Sequence, residues 1–232
     1  MPDTIVDLVS DALESFGRVR HRRTQLFPEP VQAPHLYPIP FFGDIRHATV
    51  LTLALNPAWT EFQQGRHWIP GLDACALTTR LLHYFDLPTP PPHRWFKDRR
   101  DALAMLNCSY ETNTAHIDLH PLPTKFRKDL GETQRVEIGR LIEARSAPHL
   151  ATLLKLATKV RLLVIVDYTF SKSDGTTDKT SDFILTHQPI VELLRSVENR
   201  LTLFSAGGTN QFEDRIREHR NTLRSHLRRI HP

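Results

Sequence analysis

Apolar residues recur along this chain in two ways, as short continuous runs and as longer stretches with a helical repeat. Alternation of the two predicts an α/β fold. Ile5, Leu8, Val9, Ala12 and Leu13 share one face of a helix expected over 3–16. An irregular Pro-rich stretch follows from Phe27 to Phe42, and then Ala48 to Leu55 (ATVLTLAL) is apolar almost throughout. Such a run suits a central strand covered on both faces. Helical patterns over 72–85 and 94–106 precede a second strand, Thr114 to Leu119. A further helical pattern covers about 132–158, with a break expected at Pro148. Val160 to Val166 (VRLLVIV) is the clearest strand, and Leu201 to Ser205 is the fourth. Between them lie a polar, hydroxyl-rich loop over Thr169–Ser181 and a helix over 184–197. A closing amphipathic helix spans about 212–229, with Phe212, Ile216, Leu223, Leu227 and Ile230 on one side.

Strands separated by helices predict a three-layer α/β/α sandwich around a central, mostly parallel four-stranded sheet. The whole chain, 1–232, reads as one domain, with an N-terminal helix and extended segment (1–47) packing on it. In such a sheet ligands bind outside the carboxyl ends of the strands. That rule directs attention to Asn56 onward, Leu119 onward, Asp167 onward and Ser205 onward.

Composition narrows the classes. No stretch approaches the roughly 20 apolar residues of a membrane helix, and the acid-first N-terminus is unlike a secretory signal. Two cysteines, Cys75 and Cys108, are too few for a Cys-ligated cluster and fit a reducing cytoplasm. The net charge is +4 with thirteen histidines. Arginines cluster at 18, 20, 22 and 23 and again at 215, 217, 220, 224, 228 and 229, either as a solvated face or as a phosphate-contacting one.

The strand ends carry the candidate chemistry. The first strand ends in Ala54-Leu55-Asn56-Pro57-Ala58, where the proline forces Asn56 out of helical geometry and holds its side chain at the strand tip. His116, Asp118 and His120 alternate along the second strand and share a face, a spacing that also suits metal ligation. The fourth strand leads into Ser205-Ala206-Gly207-Gly208-Thr209-Asn210-Gln211, whose backbone N–H groups and side chains could donate to a phosphate or to a leaving base.

Taken together, Pro38-Ile39-Pro40-Phe41-Phe42-Gly43-Asp44, the strand Val50–Leu55, Asn56-Pro57 and Glu61-Phe62 resemble the first motif region of the uracil-DNA glycosylase superfamily, where a strand runs into a Gly-x-Asn-Pro or Gly-x-Asp-Pro turn. The resemblance is specific over about 25 residues. It implies a uracil-DNA glycosylase-like fold and a monofunctional DNA glycosylase that flips a base and hydrolyses its glycosidic bond, leaving an abasic site. It implies DNA as partner, a monomer, and neither metal nor organic cofactor. By resemblance Asn56 positions the attacking water. Ala54 stands where the family usually has Gly, and Ala58 where strict uracil enzymes have a large aromatic that blocks C5 of the pyrimidine. The small side chain implies room for a C5-substituted pyrimidine, including the bulky modified cytosines of phage DNA.

Phe62 and Trp68 fall where the family stacks the flipped base. The second strand supplies the group that reads the base edge, for which Asn113, Thr114, His116 and Asp118 are the candidates. An acid such as Asp118 accepts from an exocyclic amino group and suits cytosine better than uracil. Lys125 in the following loop, the Gly207-Gly208-Thr209-Asn210 turn and Arg217 are candidate DNA contacts. The chain departs from the family at its second motif: no His-Pro-Ser-type loop follows Ser205, so the usual stabiliser of the departing base is missing. Two other readings stay open, a catalytically silent DNA-binding module of this fold and a metal-dependent nucleotide hydrolase built on His116, Asp118 and His120.

Overall fold

The computed structural model describes residues 4–22, 38–55, 57, 72–87, 91–121, 132–167, 169–171, 176–208 and 210–228. Its elements in chain order are α1 (Ile5–Arg22), β1 (Phe41–Phe42), β2 (Val50–Ala54), α2 (Ala74–Leu82), a 3₁₀ turn at Tyr84–Asp86, α3 (Arg94–Lys97), α4 (Arg100–Ala104), β3 (Thr114–Asp118), α5 (Glu132–Leu156), β4 (Leu162–Ile165), β5 (Thr169–Ser171), β6 (Thr177–Lys179), α6 (Thr180–Thr186), α7 (Gln188–Ser196), β7 (Thr202–Ser205) and α8 (Phe212–Arg228).

The main sheet has the order β1-β3-β2-β4-β7. β3, β2, β4 and β7 are parallel neighbours, and β1 runs antiparallel to β3. The expected four-stranded sheet is therefore a mixed one of five strands. Phe41–Phe42 is too short to show a strand period and lies in a Pro-rich stretch; only its pairing with Ile117 and His116 makes it a strand. Register across the sheet sets Phe42, His116, Thr52, Val164 and Phe204 in one row. Phe42 meets Tyr84 at 4.5 Å and Phe96 at 5.1 Å, and Phe204 meets His219 at 5.3 Å. The 3₁₀ turn, α3 and α8 thus cover this face. The alternate row, with Leu53, Ile117 and Ile165, joins Leu150, Leu153 and Leu154 of α5 and Ile190 of α7 in the core. Helices on both faces give an α/β arrangement compatible with three layers.

Three local expectations change. The helix over 132–156 runs through Pro148 instead of breaking there. Pro148 and Ala144, whose carbonyl loses its intrahelical donor, are both exposed, so solvent can replace the missing bond. The polar segment after β4 contains an antiparallel hairpin, β5 with β6. The helix expected over 184–197 is two, joined at His187, with Pro189 in the first turn of the second. Gly43 has φ +84°, and a Cβ there would meet the Phe85 ring at 2.9 Å, so the turn after β1 requires glycine. Among the described residues no helix is long and apolar enough to cross a membrane.

Candidate functional site

Chain connections define where a crevice can form. From β2 the chain crosses to β3 on one side, whereas from β4 it crosses to β7 on the other. The carboxyl ends of β2 and β4 therefore flank the topological switch point. Pairing continues a little past the formal strand ends: Leu119 N donates to Ala54 O (2.9 Å), His120 N to Leu55 O (3.1 Å) and Val166 N to Leu53 O (2.9 Å). β3 thus stays beside β2 up to the residue before Asn56. Pro57 is buried at this crest.

β3 carries a buried polar series into the crest. Tyr110 OH lies 3.1 Å from Thr52 Oγ1, and Thr52 Oγ1 lies 2.8 Å from His116 Nδ1. All three residues are buried, and His116 is enclosed by Trp95 (4.6 Å between ring centroids), Phe96 (5.3 Å) and Phe42 (5.8 Å). The other ring nitrogen, Nε2, stands 3.4 Å from Asp118 Oδ2. That approach is close enough for attraction but outside hydrogen-bond geometry, and among the described residues neither carboxyl oxygen has a hydrogen-bond partner. Asp118 is only 2% exposed. A buried carboxyl with both oxygens unsatisfied is costly, which makes Asp118 a candidate for contact with a ligand. Ala54 is its register partner on β2, so only a methyl group stands beside the carboxyl on that side.

Two further cationic or titratable groups border this region. Arg99 is 1% exposed, its guanidinium lies 3.6 Å from the centre of the Trp95 ring, and its Nη1 donates to Trp95 O at 2.5 Å. His149 of α5 is partly exposed as a residue, but its Nε2 is sealed from solvent. Burial pushes its pKa down to about 4, against a smaller opposite pull from the backbone of Pro40 and Asp118.

The tip of β4 is built differently. Asp167 accepts from Ser181 N (2.8 Å) and from Ser205 Oγ (3.2 Å), while its own N–H donates to Gly207 O (2.9 Å). It supplies the N-terminal bond that α6 lacks from its own preceding residue, and it ties three segments of the crest together.

Not all the candidate residues gather here. Asn56, Ala58, Phe62, Trp68, Lys125 and Thr209 lie outside the described residues. His116 and Asp118 come together at the crest. Asn113 and Thr114 stand at the opposite, amino end of β3. There the Asn113 side chain accepts from Ser109 N (3.0 Å) and from Thr112 Oγ1 (3.2 Å), and its carbonyl accepts from Thr49 N (2.8 Å). The Asn113 side chain is thus held by the turn that starts the strand, and Thr114 stands next to it, a whole strand length from Asp118. Among the described residues no three His, Cys, Asp or Glu side chains converge as a metal site would need, so the His116, Asp118 and His120 series does not meet at a point. Gly207 takes φ +70° and Gly208 N reaches Gln211 Oε1 at a long 3.4 Å. Asn210 is exposed beside them. Arg217 is engaged within α8 by Asp214 (2.8 Å) and Glu213, and Arg215 by Glu218 (3.0 Å), so these two arginines of the expected basic face are neutralised locally.

Thr52, Tyr110, His149 and Asp167 were not among the candidates from sequence. Only Asp167 had a visible signal, as the first polar residue after a fully apolar parallel strand. The other three matter through contacts with residues 31–109 positions away in sequence, such as Thr52 with His116.

Fold and crest together define an open α/β protein with a buried acid–imidazole pair beside the topological switch point of its sheet. No family model matches the chain, and no curated protein matches it in sequence.

Proposed function

We propose that the protein is a monofunctional DNA glycosylase of uracil-DNA glycosylase-like fold that flips a pyrimidine, a C5-modified cytosine among the bases admitted, and hydrolyses its N-glycosidic bond. One observation carries the reading. The strand that leads into Asn56-Pro57 is central in the sheet and ends at the switch point, beside the unsatisfied Asp118 carboxyl. Asn56 orients the water that adds to the anomeric carbon, and Asp118 meets the edge of the flipped base. Extruding a base costs a few kcal/mol, which stacking on Phe62 and Trp68 offsets at about 1–3 kcal/mol per base. DNA is the partner, and a cell that must cut modified phage DNA or repair its own is the setting.

The test is incubation with oligonucleotides carrying uracil, mismatched thymine, or 5-methyl-, 5-hydroxymethyl- and glucosylated cytosine, followed by alkali cleavage at abasic sites. Strand scission with at least one base, abolished by Asn56→Ala while DNA binding persists, is the expected result. Absence of scission from every substrate overturns the reading, and retained DNA binding would then point to a silent binding module.

A further inference from the structure

The chain lacks the histidine that the resemblance would place after the last strand, yet β3 holds a buried acid that accepts no hydrogen bond from the described residues. The geometry points to Asp118 as a general acid that protonates N3 of a cytosine-type base as it leaves, held in place by the series Tyr110–Thr52–His116. The inference rests on the glycosylase reading and deepens it by naming the atom on which the departing base is activated.

Three observations support the assignment. Asp118 is only 2% exposed, and among the described residues neither of its oxygens has a hydrogen-bond partner, which leaves them open to a ligand. His116 Nε2 sits 3.4 Å from Oδ2, and its opposite nitrogen is fixed on Thr52 at 2.8 Å, which in turn meets Tyr110 at 3.1 Å. The imidazole is thereby anchored at one end and faces the carboxyl at the other. Finally, the carboxyl is the register neighbour of Ala54, two residues before the Asn56 that positions water in the proposed function.

A carboxyl group carries one donor and one acceptor when protonated. Cytosine offers the complement, an unprotonated N3 and an N4 amino group. The carboxyl O–H gives its proton to N3 while its second oxygen accepts from N4–H. The C1′–N1 bond then breaks with its electron pair moving onto N1 and into the ring, so the base departs neutral as its N3-protonated tautomer. Water forms the new O–C1′ bond and releases its proton to solvent, and the carboxylate takes a proton from solvent before the next turnover. Uracil already carries hydrogen on N3 and has no lone pair there to protonate, so this route serves cytosine-type bases alone.

Asp118→Asn discriminates cleanly, because the amide reproduces both hydrogen bonds and has no proton to give. Single-turnover base release is measured on oligonucleotides with 5-methyl-, 5-hydroxymethyl- and 5-fluorocytosine and with uracil, after thermal unfolding has verified that the variant is folded. Loss of a general acid costs about 10²–10⁴-fold in rate. The expected result is a loss of that size on the two alkylated cytosines, a deficit at least tenfold smaller on the better-leaving 5-fluorocytosine, and DNA affinity within threefold of wild type. Thr52→Val lowers the rate of release at unchanged affinity, and Thr52→Ser restores it, as a positioning role requires. An equal loss across all three cytosines overturns the acid role, and so does wild-type release of uracil in preference to every cytosine. Release of no base by the wild type instead overturns the glycosylase reading on which the inference rests.

Discussion

Two aspartates occupy matching places in this sheet, Asp118 at the carboxyl end of β3 and Asp167 just beyond β4, and the fold treats them in opposite ways. Asp167 has both oxygens bonded, to Ser181 N and Ser205 Oγ, and joins β4, β7 and α6. Asp118 is more deeply buried, and neither of its oxygens is hydrogen-bonded by a described residue. The contrast separates an acid that holds the crest together from one kept available there. A satisfied charged hydrogen bond stabilises by about 1.5–3 kcal/mol, whereas an unsatisfied buried polar group costs about 1–3 kcal/mol. Stability and activity should therefore respond in opposite order at the two positions.

The largest stability effect expected is from Asp167→Ala. It removes two bonds and leaves the Ser181 N–H without its acceptor, so unfolding free energy should fall by about 3 kcal/mol, or roughly 6–12 °C in Tm for a chain of this size. Asp118→Ala should stay within about 1 kcal/mol of wild type or exceed it, since it deletes an unsatisfied group. Denaturant titration of both variants checks the pair, and a larger loss at 118 than at 167 would break the comparison.

The surroundings of Asp118 sharpen it through pH. His149 binds its proton less readily in the folded state, with its pKa pushed down to about 4 by burial. Above the ordinary histidine value near 6.5 both states are neutral and His149 contributes nothing. As pH falls below 6.5 the unfolded chain takes up the proton first, and stability drops until about pH 4. At 1.36 kcal/mol per unit the total is about 3 kcal/mol. Replacing it by His149→Gln should flatten the difference in unfolding free energy between pH 7 and pH 4.5, measured against wild type. An unchanged slope would mean that the ring is protonated in the fold.

A smaller change is expected beneath the pair. Tyr110→Phe removes one end of the Tyr110–Thr52 contact and leaves Thr52 bonded to His116, so stability should fall by about 1 kcal/mol. Smallest of all is Arg217→Ala on α8. Its ion pairs with Glu213 and Asp214 are exposed, so the effect on unfolding should be within about 0.5 kcal/mol. If Arg217 nevertheless contacts phosphate, the same variant lowers the salt dependence of DNA binding, which a titration from 50 to 200 mM salt reads directly.

Much of the architecture was legible in the residue pattern. Val50–Ala54 and Leu162–Ile165 are buried on both faces, and a strand so placed is apolar almost throughout, which is how ATVLTLAL and VRLLVIV read. The 3.6-residue repeat likewise found α8, because its buried side is Phe212, Ile216 and Leu223. The two-residue strand β1 was not legible, since Phe41–Phe42 carries no period of its own and depends on a partner 74–76 residues away. Nor was the unbroken α5, where exposure of Pro148 rather than its identity decides the outcome.

The site divides along the same line. The sequence alone determined that Asn56-Pro57 ends an apolar strand and that His116 and Asp118 share a face, because both follow from local geometry and a two-residue period. Tertiary structure decided everything that depends on distance through space. It spent Asn113 on a turn at the far end of β3, brought Thr52 and Tyr110 to the imidazole, and hydrogen-bonded both oxygens of Asp167 while giving those of Asp118 no hydrogen bond from the described residues. Whether a polar group is satisfied depends on which chain segments the fold brings beside it, and no pattern within a single segment carries that information.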